Sequence, residues 1–407
     1  MISDNLIKQC EQKLKNQFEY FEEIALFNQE KVLSAFQKNR LALRHFTGTT
    51  GYGYGDEGRD TLNNVFADIF GAEKAICSPN IVSGTHALSL CLFGVLMPND
   101  KALCITGTPY DTLNDVIYGD GNGSLKDYGI EFTCIDLKDD KIDKQKIKDY
   151  FTVNGTPKMV YMQRSRGYAW RDALSISEIG DAVEFVKSLG FNGCFMLDNC
   201  YGEFLDKQEA TNVGVNLMAG SMIKNPGGGI APTGGYIVGS AKYVDQVQNR
   251  LTAPSIGGEV GSYANGYQYF YQGLFLAPHI VLQAVKSSLL FGAVLNEMGY
   301  ETSPQMGVNP NDIIRAIKFN NEKDLISFIQ TIQHNSPIDS FVDALPWEMP
   351  GYEDQVIMAA GCFVQGSSIE LSADAPIKPP YIAYMQGGLT YEHAKIVLKN
   401  LNLTQKQ

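Results

Sequence analysis

Between residue 74 and about residue 240, six short apolar runs, "KAICS", "KALCIT", "EFTCIDL", "KMVYMQ", "CFMLD" and "GGYIVG", are separated by segments with helix-like patterning. Strands that are apolar at nearly every position have no face to give to water, so both faces of their sheet must be covered. Helices placed between such strands supply that cover, which makes this region an α/β domain on a mainly parallel sheet. A chain of 407 residues is long for one core, so further units are expected at its ends. Residues 1–60 read as a helical arm and loop, residues 61–277 as the α/β domain and residues 278–407 as a smaller α+β domain. In the arm, Leu6, Cys10, Leu14, Phe18 and Phe21 recur every three or four residues. The third unit opens on a long helix over 278–298, carries strand-like "DSFVDALP", "VIMAAGCFV" and "SIELSA", and closes with a helix near "TYEHAKIVLKNL".

Charge narrows the partners. A net charge of −12 and a pI near 5.0 argue against a general nucleic-acid surface or an anionic-membrane binder, since both need clustered Lys and Arg. The amino terminus is charged from its fourth residue and lacks the apolar core of a signal peptide, and the most apolar run, Ala87 to Met97, is too short to span a bilayer. A cytoplasmic protein is therefore expected. The eight cysteines contain no CxxC pair and the five histidines are scattered, so neither a disulfide framework nor a metal site is expected.

In open α/β sheets, ligand sites gather beyond the carboxyl ends of the strands. Four segments there carry candidate chemistry. In "NIVSGTHALSL", Ser83, Gly84 and Thr85 open a helix whose free N–H groups could cradle a phosphate, although either hydroxyl could simply cap the helix. Tyr110, in "TGTPYDTL", could cover a flat ligand or merely pack. Asp198 ends the apolar run "CFMLD", where a carboxylate is costly without a partner, unless it only shapes the Asp-Asn turn. Lys224 follows the apolar "SMI" in "GSMIKNPGGGIAPTGG"; a desolvated lysine has a lowered pKa that favours the free amine needed for a Schiff base, whereas a snorkelling surface lysine needs no such role. Together a phosphate cradle, a ring stacker, a buried carboxylate and a lysine match what pyridoxal 5'-phosphate requires. Lys224 would bond its aldehyde, Asp198 hold the pyridine nitrogen protonated, Tyr110 cover the ring, and Ser83 to Thr85 with Ser221 bind the phosphate. A rival motif, GxGxxG at Gly53, Gly55 and Gly58, follows no buried strand and fails its structural context.

These residues resemble those of fold-type I pyridoxal phosphate enzymes, and most of the chain is similar to the cystathionine β-lyase and methionine γ-lyase group. "GYGYGDEGRDTL", "SGTHA", "TGTPYDTL", "KNPGGGIAPTGGYIVG" and "MQGGLTYEH" look like its aluminium-resistance branch. The resemblance implies a pyridoxal phosphate lyase that breaks a carbon–sulfur bond of an amino acid by β- or γ-elimination, with Lys224 as Schiff-base residue and general base. It also implies a homotetramer of paired dimers, in which Tyr54 and Arg59 reach a partner's cofactor phosphate. The family's carboxylate-binding arginine has no counterpart in "ELSADAPIKPPY", which offers Lys378, so Arg164 or Arg166 of "QRSRGY" are further candidates for the substrate carboxylate. Transamination, another amino-acid transformation on the same cofactor, or cofactor binding with little turnover and a role in metal tolerance are the alternatives.

Overall fold

The structure is a computed structural model that describes residues 2–349 and 352–403. Its large sheet has seven strands: β1 (Lys74–Ser78), β2 (Lys101–Cys104), β3 (Glu131–Cys134), β4 (Met159–Gln163), β5 (Cys194–Asp198), β6 (Leu217–Ser221) and β7 (Gly235–Gly239). They lie in the order β1-β7-β6-β5-β4-β2-β3, and β7 alone runs antiparallel to its neighbours β1 and β6. Strands β4 to β7 are buried at every position, as continuous apolar runs require. The six expected strands are present. The seventh, β6, reads "LMAGS" and is buried on both faces although Ala, Gly and Ser are weak strand formers; position in the sheet overrides propensity there.

The arm is two helices, Asp4–Lys13 and Lys15–Lys38, and it packs on its own chain. Buried Asn28 donates through Nδ2 to the carbonyls of Phe204 and Asp206, which ties the second helix to the large domain. The glycine-rich loop after it ends at Asp56, whose carboxylate accepts from Arg59 N and caps the helix Glu57–Ile69. It follows a 3-10 turn, Leu43–Phe46, and not a strand.

The long helix begins ten residues before the expected start, at Gln268, and runs to Glu297 through a buried Pro278 that sequence reading took as its first residue. By length and composition it could cross a membrane, but 61% of its most apolar 18-residue window is buried inside the protein, which makes it a core helix. Gly227 and Gly273 explain part of the glycine-rich tail after Lys224. A Cβ on either would collide with backbone, Met222 O in the first case and Gly227 O in the second, so the turn and this helix meet main chain to main chain.

The second sheet contains β8 (Glu301–Ser303), β9 (Ile314–Lys318), β10 (Val356–Ala359), β11 (Ser372–Pro376) and β12 (Ile382–Gln386). It is antiparallel throughout, in the order β10-β11-β12-β9-β8. Two expectations need correction. "DSFVDALP" forms no strand: Phe341 is 85% exposed, and the segment has no sheet neighbour to cover its apolar residues. "SIELSA" supplies only the first two residues of β11.

Candidate active site

A cleft of about 640 Å³ opens between the carboxyl ends of the large-sheet strands and the face of the small sheet. Among the expected residues, Gly84, Thr85, Tyr110, Arg166, Asp198, Lys224 and Lys378 line it.

Lys224 stands three residues beyond β6 on a sharp turn. Pro226 is the second residue of the following 3-10 turn, Asn225–Gly227, and Asn225 Nδ2 donates to Glu203 O at 3.0 Å, which fixes the lysine's backbone from the far side. Its Nζ lies 3.9 Å from the centroid of the Tyr201 ring, a cation over an aromatic face. Burial works to depress the Lys224 pKa, but the groups around it, Cys200, Tyr201 and Asp198, prevail and raise it well above the usual lysine value. Asp198 is the anion among them that we hold responsible. The lowered pKa expected from desolvation alone is thus corrected: the half-buried ammonium feels the Asp198 charge without forming a direct ion pair among the described residues.

Asp198 is the last residue of β5, buried, and in register with Gln163 and Ala219 on the flanking strands. Cys200 N donates to its Oδ1 at 3.1 Å. Burial raises its pKa, and Lys224 and this N–H oppose the rise. Tyr110 N donates to Gln163 Oε1 at 2.9 Å, and its hydroxyl hydrogen-bonds Thr85 Oγ1 at 2.7 Å, so the ring is held at both ends. Burial and Asp198 push that phenol above its ordinary value, so it stays a neutral hydroxyl.

Ser83 caps the helix Gly84–Val95, accepting from His86 N at 3.0 Å. The capping role considered for it is therefore the one seen, while Gly84 and Thr85 stand in the first turn where N–H groups lack intrahelical partners. A Cβ on Gly84 would stand 3.7 Å from Ser221 Cβ, which brings buried Ser221 beside the helix start without lining the cleft.

The two arginines differ. Arg164 points away, donating through Nε to Leu174 O and through Nη1 to Asn199 Oδ1 and Gly202 O. Replacing it with methionine should lower folding stability by about 3 kcal/mol or more, because three buried acceptors lose their donor; chemical denaturation measures this. Arg166 faces the cleft with a side chain of 0% exposure. Nη1 donates to Ser303 Oγ at 2.9 Å, Asp172 and Asp312 lie at 3.6 and 4.0 Å, and Nε and Nη2 have no hydrogen-bond partner among the described residues.

Lys378 sits at the mouth, paired with Asp354 at 2.6 Å. Tyr54 and Arg59 do not line the cleft. Tyr54 is 68% exposed, and Arg59 is buried, donating to Asp60 and to Gly53 O, so within one chain it steadies its own loop. Sequence reasoning missed Gln163, Tyr201 and Asp374. Gln163 was open to the strand-end argument as the polar last residue of β4. Tyr201, at φ 72° and adjoining "LDNC", carries no sequence signal of its own.

The residues fit pyridoxal phosphate. Buried Asp198 has one backbone donor among the described residues and room for a second N–H; Gly84 and Thr85 offer N–H groups to a phosphate; Tyr110 gives a fixed aromatic face; Lys224 supplies a primary amine.

The profile of the methionine gamma-lyase family matches residues 3–405. A candidate cystathionine beta-lyase involved in aluminum resistance from Clostridium acetobutylicum is 48% identical, with a TM-score of 0.95 over 98% of this chain and 95% of that one. A carbon-sulfur lyase involved in aluminum resistance from Clostridium novyi NT is also 48% identical, with a TM-score of 0.93 over 98% and 94%. At 16% identity, the pyridoxal-5'-phosphate dependent protein YhfS from Escherichia coli shares the fold, with a TM-score of 0.62 over 93% and 96%.

Proposed function

The chain belongs to the methionine gamma-lyase family, and from that membership we propose that it is a pyridoxal phosphate-dependent carbon–sulfur lyase acting on a sulfur-containing amino acid. The convergence of Lys224, Asp198 and Tyr110 on one cleft carries this reading. When bound, pyridoxal phosphate supplies an aldehyde for an amino nitrogen and a ring that accepts the electron pair left by an α-proton. The chain's residues do the rest. Asp198 accepts the ring N–H and balances its charge. Tyr110 covers the ring face, and Gly84 and Thr85 donate to the phosphate, with Ser221 beside them.

With Asp198 engaged by a ring N–H, one of the groups that favour the Lys224 ammonium is taken up, and burial works toward the neutral amine. That Nζ takes the α-proton from the substrate. The carbon–sulfur bond then breaks with its electron pair leaving on sulfur, and hydrolysis gives an α-keto acid and ammonia. Arg166, a cleft-lining residue whose Nε and Nη2 make no hydrogen bond among the described residues, is the guanidinium assigned to the substrate carboxylate, which it would meet as a planar fork.

The same reading places the enzyme in the cytoplasm as a tetramer of paired dimers, with Tyr54 presented toward a neighbour's site. The test is release of thiol, ammonia and keto acid from a thioether amino acid with no keto-acid acceptor present. Arg166→Lys should raise KM about 100-fold with a smaller change in kcat, since a lysine cannot reproduce the fork. Strict dependence on an acceptor would instead establish transamination.

A further inference from the structure

The seam between β2 and β3 brings together two cysteines that no spacing in the sequence marks as a pair. Cys104 and Cys134 are the last residues of these strands and stand in register. In-register residues of neighbouring parallel strands point to one face about 4.8 Å apart, inside the Cα separation of roughly 4.4–6.8 Å that a disulfide accepts. Both side chains pack in the same apolar cluster. Of the eight cysteines, seven are buried and Cys134 is half-buried, on the edge strand of the sheet. The Tyr118 hydroxyl hydrogen-bonds its sulfur at 3.4 Å. Hydrogen bonding with Cys104 and Tyr118 holds the Cys134 thiol down to about 7 against burial, whereas burial pushes the Cys104 thiol well up. The first proton of the pair therefore leaves from Cys134, and Cys104 keeps its own. That one S–H serves two acceptors, the Cys134 sulfur and Gly107 O at 3.0 Å, in the loop that leads to Tyr110.

A half-buried thiolate beside a buried thiol, within reach of a disulfide, is the arrangement of an attacking and a resolving cysteine. We propose that Cys134 and Cys104 form a hydroperoxide-reactive site that closes to a disulfide and reopens with a thiol reductant, next to the loop that presents Tyr110. The Cys134 thiolate gives an electron pair to one peroxide oxygen: the S–O bond forms, the O–O bond breaks, and the departing hydroxide takes up the proton that Cys134 released. The Cys104 sulfur then attacks the Cys134 sulfur: the S–S bond forms, the S–O bond breaks, and hydroxide leaves with the Cys104 proton as a second water. The two thiols lose two electrons and the hydrogen peroxide gains them. Closure takes the S–H away from Gly107 O, so the segment between β2 and Tyr110 loses a hydrogen bond. Neither cysteine lines the cleft, and the site does not rest on the lyase reading.

The test is hydrogen peroxide on the full-length, cofactor-loaded protein, followed by alkylation and peptide mapping under non-reducing conditions. A Cys104–Cys134 linked peptide is expected before any other cysteine is oxidised, and dithiothreitol should restore both thiols. Cys134→Ser should abolish the link, and Cys104→Ser should leave a sulfenic acid on Cys134 that dimedone traps. If Cys104→Ser fails to fold, iodoacetamide labelling of the wild type at neutral pH serves, with Cys134 reacting at least about tenfold faster than any other cysteine. Hydrogen exchange of the peptide over residues 105–113 should quicken in the disulfide form, because Gly107 O has lost a donor. No link, a link through another cysteine, oxidation of Cys134 that never engages Cys104, or faster labelling of another cysteine would each overturn the site. Unchanged exchange would overturn its effect on the Tyr110 loop.

Discussion

Lys224→Ala should lower thiol release by about 10⁴-fold, the upper range for removal of a positioned acid–base group. The loss is large because one Nζ serves twice, as the amine that meets the cofactor and as the base that takes the α-proton. No neighbour can substitute: Tyr201 is a phenol under the ammonium, and Lys378 is tied to Asp354 at the mouth. The fold should survive, since the turn that carries residue 224 is fixed by Asn225, Pro226 and Gly227 through backbone and amide contacts. Lys224→Arg separates charge from chemistry. It keeps a cation over Tyr201 and should stay equally inactive, because a guanidinium remains protonated. Steady-state kinetics beside thermal melts of both variants check this; residual activity within about tenfold of wild type would remove Lys224 from the reaction.

Asp198→Asn is expected to cost about 10³-fold in kcat, the size seen when a fixed electrostatic partner of developing charge is removed. The substitution is nearly isosteric, and asparagine Oδ1 can still accept from Cys200 N, so packing at the end of β5 should persist. What it removes is the buried negative charge. A ring N–H then loses its counter-ion, and the electron pair left by the α-proton is stored less well. The same change frees Lys224 from the anion that raises its pKa. With that anion gone, the titration of Lys224 in cofactor-free protein should move to lower pH than in the wild type. The measurements are kcat, and the pH dependence of Lys224 modification in cofactor-free protein. An unchanged kcat would place the charge requirement elsewhere.

The large sheet was legible because its strands are apolar along their whole length, a pattern few other structures produce. β6 escaped because "LMAGS" owes its strand state to two flanking strands and not to its own side chains. The opposite error at "DSFVDALP" has the same root: its Phe341 and Val342 look like a strand, but no strand pairs with them.

At the site, Lys224, Asp198 and Tyr110 could be found because each follows a strand, where ligands bind in such sheets. The charge state of Lys224 could not, since it depends on Asp198 being near in space and 26 positions away in sequence. Arg164 and Arg166 are two positions apart in one loop and read alike, yet one donates to two backbone carbonyls and Asn199, and the other lines the cleft beside Asp172 and Asp312 with two nitrogens that make no hydrogen bond among the described residues. Asp374 shares "ELSADAPIKPPY" with Lys378, and in sequence the lysine is the residue there that answers the need for a cation, while nothing marks the aspartate as facing the cleft.

The most direct test is peptide mapping by mass spectrometry after borohydride reduction of the cofactor-loaded protein. The account predicts that the reduced cofactor is fixed to the peptide carrying Lys224 and to no other lysine. Reduction that leaves every lysine unlabelled, or labels a different one such as Lys378, would contradict it.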